Sequence, residues 1–133
     1  MWYYNGKEIG EEDIEGYVAF VYLITNLENN KRYIGKKVLK TVRRQKVKGK
    51  TRRKKVEKES NWREYFGSNG NLLEDVEKLG QDRFRREILK LCKTRGTANY
   101  WEAWYQMHHH VLESDEWYND WVYVKVHRSH LKF

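Results

Sequence analysis

Residues Gly16–Asn26, GYVAFVYLITN, form an almost unbroken apolar run rich in aromatic and β-branched side chains, the pattern of a strand buried on both faces. LENNK follows as an asparagine-bearing turn and RYIGK as a second strand, which together predict an antiparallel hairpin. Asn71–Gly80, NLLEDVEKLG, spaces leucines and a valine at helical intervals and stops on a glycine, so a short helix is expected there. Phe84–Cys92, FRREILKLC, suits a third strand, although its charges do not alternate cleanly and the same residues fit a helix. In Thr97–Glu113 a threonine cap opens a helix whose aromatics at 100, 101, 104 and 105 form a broad apolar face. The intervening segment up to Lys58 reads as loop and irregular helix, and WYNDWVYVKVHR near the end as a final extended segment.

Charge changes this picture. The chain of 133 residues carries a net charge of +8, but thirteen lysines and arginines and one acid fall between Lys36 and Lys58, a local balance of +12. The other residues hold fourteen bases against eighteen acids. The basicity is therefore one mid-chain segment, and a polyanion is the partner it fits, because neutralised phosphates release condensed counterions. A solvated tail is the plainer reading, and the segment's position inside the chain counts against it. Length argues for a single domain with a modest core. The one cysteine, Cys92, rules out a disulfide framework within the chain, and no run approaches membrane-spanning length. Residues 1–16 are acidic and polar where a secretion signal is basic and then apolar. The expectation is a soluble, intracellular, cytoplasmic protein with no membrane partner.

Strand geometry singles out a candidate face. If the hairpin turns about Asn29 and Asn30, then Tyr22 opposes Lys37, Ile24 opposes Gly35 and Asn26 opposes Tyr33, all on one side. A slip of two residues preserves that side, and a slip of one destroys it. Two phenols and an ammonium then surround a glycine that leaves room for a ligand, unless the tyrosines are there only as good strand formers. The histidines give less. His108, His109 and His110 are consecutive and point to different helix faces, and His127, His130 and Cys92 do not make a closed zinc set.

At these residues the chain resembles the GIY-YIG nucleases, above all their phage and homing-type members. The second signature is present as Tyr33-Ile34-Gly35, and the first in altered form as Phe20-Val21-Tyr22, without its glycine. WREYFGSN and the pattern running from Leu72 to Leu89 continue the likeness, which covers most of Gly16 to Asn119. The resemblance implies an α/β (α+β) nuclease domain over residues 1–133, with a small three-stranded antiparallel sheet flanked by helices and a basic insertion at about 36–58. It implies hydrolysis of DNA phosphodiesters with one Mg²⁺ or Mn²⁺ ion, in the host cell cytoplasm if the protein is phage-encoded. Carried over residue by residue, Tyr22 and Tyr33 position or deprotonate the attacking water, with Lys37 assisting or replacing them. Glu102 holds the metal, and Asn119 matches the asparagine near the end of the domain. The family arginine falls on Arg43 by spacing or on Arg63 by its place in WREYFGS, the latter preferred. Lys46, Lys48, Arg52, Arg53, Lys54 and Lys55 are the DNA-binding candidates of the basic segment. The alternative is a non-catalytic nucleic-acid-binding module that keeps the fold and its basic arm. Recognition sequence and oligomeric state are not legible.

Overall fold

The computed structural model describes residues 1–46, 48–49 and 53–133, with the side chains of all of these except 42–46 and 53–55. The chain opens with a short antiparallel hairpin, β1 (Trp2–Tyr4) and β2 (Lys7–Glu8), and one helical turn, α1 (Glu11–Ile14). Then come β3 (Ala19–Asn26), β4 (Arg32–Val38), β5 (Lys40–Lys46) and β6 (Arg53–Glu59). α2 (Gly70–Leu79), β7 (Phe84–Cys92) and α3 (Arg95–His108) complete the longer elements, with a 3-10 turn at Trp62–Glu64.

The architecture is mixed α/β, but the main sheet has five strands where three were expected, in the order β2-β1-β7-β3-β4. Of the three expected strands, β4 and β7 each run antiparallel to the central β3, and β4 forms one edge of the sheet. The additional strands come from the N-terminus. β1 lies parallel to β7, with Tyr3 opposite Glu87, and the buried Trp2 donates its indole N–H to the Trp62 carbonyl at 2.9 Å. Strands of two or three residues are too short to display an alternation, so the pattern could not announce them.

β3 is buried on both faces, as its composition requires. Phe20, Tyr22 and Ile24 pack with Trp2, Trp62, Phe66 and the α2 residues Leu72 and Val76. Ala19 and Val21 pack on the opposite side with Ile34 and with Ala98, Trp101 and Tyr105 of α3. Each fully buried aromatic or branched side chain contributes roughly 1.5–3 kcal/mol. β7 carries a bulge: Tyr22 pairs with Ile88 and Val21 with Lys90, so Leu89 is the extra residue. It resets the inward and outward order after Ile88, while the charges of this strand fail to alternate in the sequence because Arg86 takes a buried, inward position between Arg85 and Glu87.

Several local expectations are corrected. Lys36–Lys58 is not loop and irregular helix: β5 and β6 form a separate two-stranded antiparallel ribbon, paired from Lys40↔Glu59 to Lys46↔Arg53. The clustered cations hide the strand-favouring Thr41, Val42 and Val56 from a reading based on polarity. The β3–β4 register is Tyr22↔Gly35, Ile24↔Tyr33 and Phe20↔Lys37, two residues away from the expected one. The reason is the turn. It comprises Leu27–Asn30, closed by Asn26 N–H to Lys31 C=O at 2.8 Å, with Asn30 at φ 61°. Because the slip is two, the shared face survives. α3 is capped by Thr94, whose side chain accepts from Thr97 N–H at 3.0 Å, whereas Thr97 itself is buried. The helix stops at His108 and does not continue to Glu113. The tail forms no strand among the described residues beyond a single bridge between Trp117 and Arg32. It is tied instead by side chains, including Tyr118 on Asp75 and Thr97 on the Lys132 carbonyl.

Candidate active site

The site is built where the free edge of the sheet meets α3. Tyr22 sits in the middle of β3, only 1% exposed, with its ring edge-on to Trp2 and Tyr65 at centroid distances of 5.5 and 5.9 Å. Its hydroxyl reaches across the neighbouring strand at Gly35. A Cβ there would lie 2.5 Å from Tyr22 Oη and 2.9 Å from Tyr33 Cε1, so only glycine lets the phenol through. Gly67, at φ +92°, brings the following loop over the same hydroxyl. Tyr33 is half-buried beside it, ring centroids 6.1 Å apart, and shares a 3.3 Å hydrogen bond with Ser68 Oγ. The Lys37 ammonium stands 4.2 Å from the centre of the Tyr65 ring.

Glu102 approaches from α3. Its carboxylate is 3.8 Å from the Lys36 ammonium, which also donates to Asn99 Oδ1. Arg95, Asn99, Glu102 and Gln106 recur at helical spacing and form one stripe along β4. At its far end Gln106 donates to the Ile34 carbonyl at 3.0 Å. Asn119 grips the same residue twice, accepting from Ile34 N–H at 3.1 Å and donating to Ile34 C=O at 2.8 Å. Its side-chain amide thus replaces a strand partner at the open edge.

Electrostatics assigns the groups different capacities. Burial, reinforced by Tyr65 and Tyr33, pushes the Tyr22 phenol well above its ordinary value. Burial also raises Tyr33, against the lowering effect of the Ser68 hydrogen bond. Both phenols therefore stay protonated near neutrality and can donate or orient. Lys37 moves the other way: burial lowers its ammonium, toward the neutral amine a base needs. Burial raises Glu102, opposed by the Lys36 charge.

The structure brings together Tyr22, Tyr33, Lys37 and Glu102, and holds the other candidates elsewhere. Arg63 is engaged by Glu11 and by Glu59, the latter at 2.9 Å, and lies over the Trp62 ring. Glu11, Glu59 and Trp62 line a cavity of 540 Å³ that includes none of the four gathered residues. Arg43 is in β5 opposite Val56, with its side chain outside the described residues. Asn119 is bonded to the Ile34 backbone along the outer edge of β4. Of the ribbon candidates, Lys46, Arg53, Lys54 and Lys55 are strand positions, Lys48 is exposed in the turn, and Arg52 lies outside the described residues.

Sequence reasoning missed Tyr65, Lys36 and Arg86. Tyr65 lay inside the aromatic WREYFGS segment and Lys36 beside the signature glycine, so both had a signal. Arg86 had none. It is 4% exposed, sandwiched by Trp2 and Phe66, and donates to the carbonyls of Arg63 and Tyr65 at 2.9 and 2.8 Å. Burial brings its guanidinium down to about 10, and its role is to hold the loop that carries Tyr65. Among the described residues no group of three or more His, Cys, Asp or Glu converges on a metal position. Glu102 is a hard oxygen donor beside an existing cation. A lone carboxylate suits Mg²⁺ when phosphate and water supply the remaining ligands.

The family model whose description reads "Putative endonuclease segE, GIY-YIG domain" matches residues 2–122. No curated protein and no solved structure matches the chain.

Proposed function

The chain belongs to the GIY-YIG nuclease family, whose members act as endonucleases, and from that premise we propose that it is a divalent-metal-dependent DNA endonuclease of the phage or homing type, one domain acting in the cytoplasm. One observation carries the reading: the Tyr22 and Tyr33 phenols meet over Gly35 at an open sheet edge that Glu102 faces from α3. A packing role alone does not call for a half-buried carboxylate opposite two phenols beside the glycine of an edge strand.

Glu102 is the residue to hold a Mg²⁺ or Mn²⁺ ion, which supplies Lewis-acid stabilisation of the phosphoryl oxygens. The chain's own groups do the rest. A water bound at the edge forms a bond to phosphorus while the ester P–O bond breaks. Lys37, whose ammonium burial lowers from its ordinary value, is the group to take the water's proton. Tyr22 and Tyr33, held protonated, donate hydrogen bonds that align the water and a phosphate oxygen. The β5–β6 ribbon supplies sequence-independent affinity through phosphate contacts. A binding module without turnover is the second reading. It is favoured by the engagement of Arg63 with two carboxylates, away from the four gathered residues.

Incubation with supercoiled plasmid separates the two. Nicked or linear product with Mg²⁺ or Mn²⁺, none with excess chelator, and none from Glu102→Gln with DNA binding retained are expected. Cleavage that persists in chelator contradicts the metal requirement, and binding without product at any metal concentration selects the second reading.

A further inference from the structure

A cleft of 430 Å³ opens between the end of β4 and the first two turns of α3. Lys36, Lys37, Tyr65, Arg95 and Asn99 line it, and no carboxylate does. Lys36 and Arg95, with Lys37 in its protonated form, converge without an acid and repel one another, a cost that a bound anion removes. Lys36 is answered by Glu102 outside the cleft and by Asn99 in its wall, and Lys37 rests on the Tyr65 ring. Arg95 is exposed and makes no ion pair among the described residues. It is the first residue of α3, on the same stripe as Asn99 and Glu102.

We propose that this cleft is a subsite for a DNA phosphate flanking the scissile one, with Arg95 as its principal ligand. The proposal rests on the nuclease reading and deepens it. Seven residues separate Arg95 from Glu102, roughly 10 Å along the helix axis. Successive phosphates of one strand advance about 3.4 Å each along a duplex. Arg95 therefore meets a phosphate two or three positions from the one at Glu102. Its planar guanidinium is suited to bidentate contact with two phosphate oxygens. Lys37 and Asn99 close the sides of the cleft, so one strand runs along β4 from the reacting position into it.

The test uses a duplex whose cut position has first been mapped with Mg²⁺, then scanned with single neutral methylphosphonates for binding in chelator. Wild type should lose about 10-fold in affinity at one position, two or three phosphates from the cut. Arg95→Ala should lose a similar factor on unmodified DNA and become indifferent to that one substitution. Its log affinity against log salt should flatten by about 0.9. Arg95→Lys should recover part of the loss, and circular dichroism should show α3 unchanged. Arg95→Ala as sensitive as wild type at every position overturns the subsite. A single-turnover rate that collapses while affinity is unchanged also overturns it, because that places the arginine on the scissile phosphate. If the protein cleaves DNA and Arg95 is irrelevant, only this proposal falls. If it neither binds nor cleaves DNA, the nuclease reading falls with it.

Discussion

β4 and β5 are separated by one residue, Leu39, and are built on opposite plans. β4 is an edge strand fixed from every side: β3 pairs along it, Asn119 and Gln106 hold Ile34, and α3 packs across it. β5 leaves the sheet and pairs only with β6, in a ribbon whose outer pairs, Arg44↔Lys55 and Lys46↔Arg53, set like charges opposite each other. Leu39 is the hinge pin, 2% exposed, with its N–H on the Val18 carbonyl at 2.7 Å. Catalytic groups must be held to fractions of an ångström, so they sit on the packed strand. Electrostatic affinity needs only charge density near a phosphate, so it can be carried on a ribbon separate from the main sheet.

The strongest way to break this division is at the packed strand. Lys37→Met, Tyr33→Phe and Tyr22→Phe should each lower the single-turnover cleavage rate by at least ~10²-fold, with affinity little changed for the two tyrosine variants. Rates equal to wild type for all three reduce the face to packing. Asn119→Ala removes both hydrogen bonds to Ile34 and should cost about 1–3 kcal/mol in urea denaturation. If cleavage is as fast as before at temperatures where the variant is folded, the clamp on β4 does not matter to the chemistry.

A smaller effect sharpens the picture of what holds the tail. The Tyr118 hydroxyl donates to Asp75 at 2.6 Å and accepts from Asn26 at 3.0 Å. Burial, with a contribution from Asp75, raises it to about 12. The folded state therefore keeps this proton longer than the unfolded chain, whose tyrosines titrate near pH ~10. The stability it contributes is fully present below pH ~10 and is lost as pH rises toward about 12. Tyr118→Phe should cost roughly 1 kcal/mol at neutral pH and reduce the alkaline fall in stability. An unaltered alkaline limb would show that other groups control it. Smallest of all, Lys48→Ala in the ribbon turn should flatten the salt dependence of log affinity by about 0.9, with no change in stability. A slope identical to wild type removes Lys48 from the DNA contact.

How legible each part was follows from the same division. Tyr22, Gly35, Tyr33 and Lys37 could be placed on one face from period-two alternation alone. Even the wrong register left them together, because the turn around Asn30 shifted it by an even number. Glu102 could be named only through the family likeness, since an acid on an aromatic helix carries no signal of what it faces. Asn119 was named too, but no spacing could show that its amide would fold back onto Ile34. Arg63 sat in the right segment, and its capture by Glu11 depends on a contact between residues fifty-two apart. The ribbon was misread because a run of cations conceals strand preference, and the β1–β2 hairpin because its strands are too short to have a period. Long-range contacts and very short elements are what a linear pattern does not encode.

The most direct measurement is the single-turnover cleavage rate, at saturating DNA, of a variant in which Lys46, Lys48, Arg53 and Lys54 are all changed to alanine. If β4 performs the chemistry and the ribbon supplies affinity, the variant needs far more protein to saturate but then cleaves at the wild-type rate. A rate that collapses at saturation, with affinity unchanged, would place the ribbon's cations on the scissile phosphate and contradict the division of labour between the two strands.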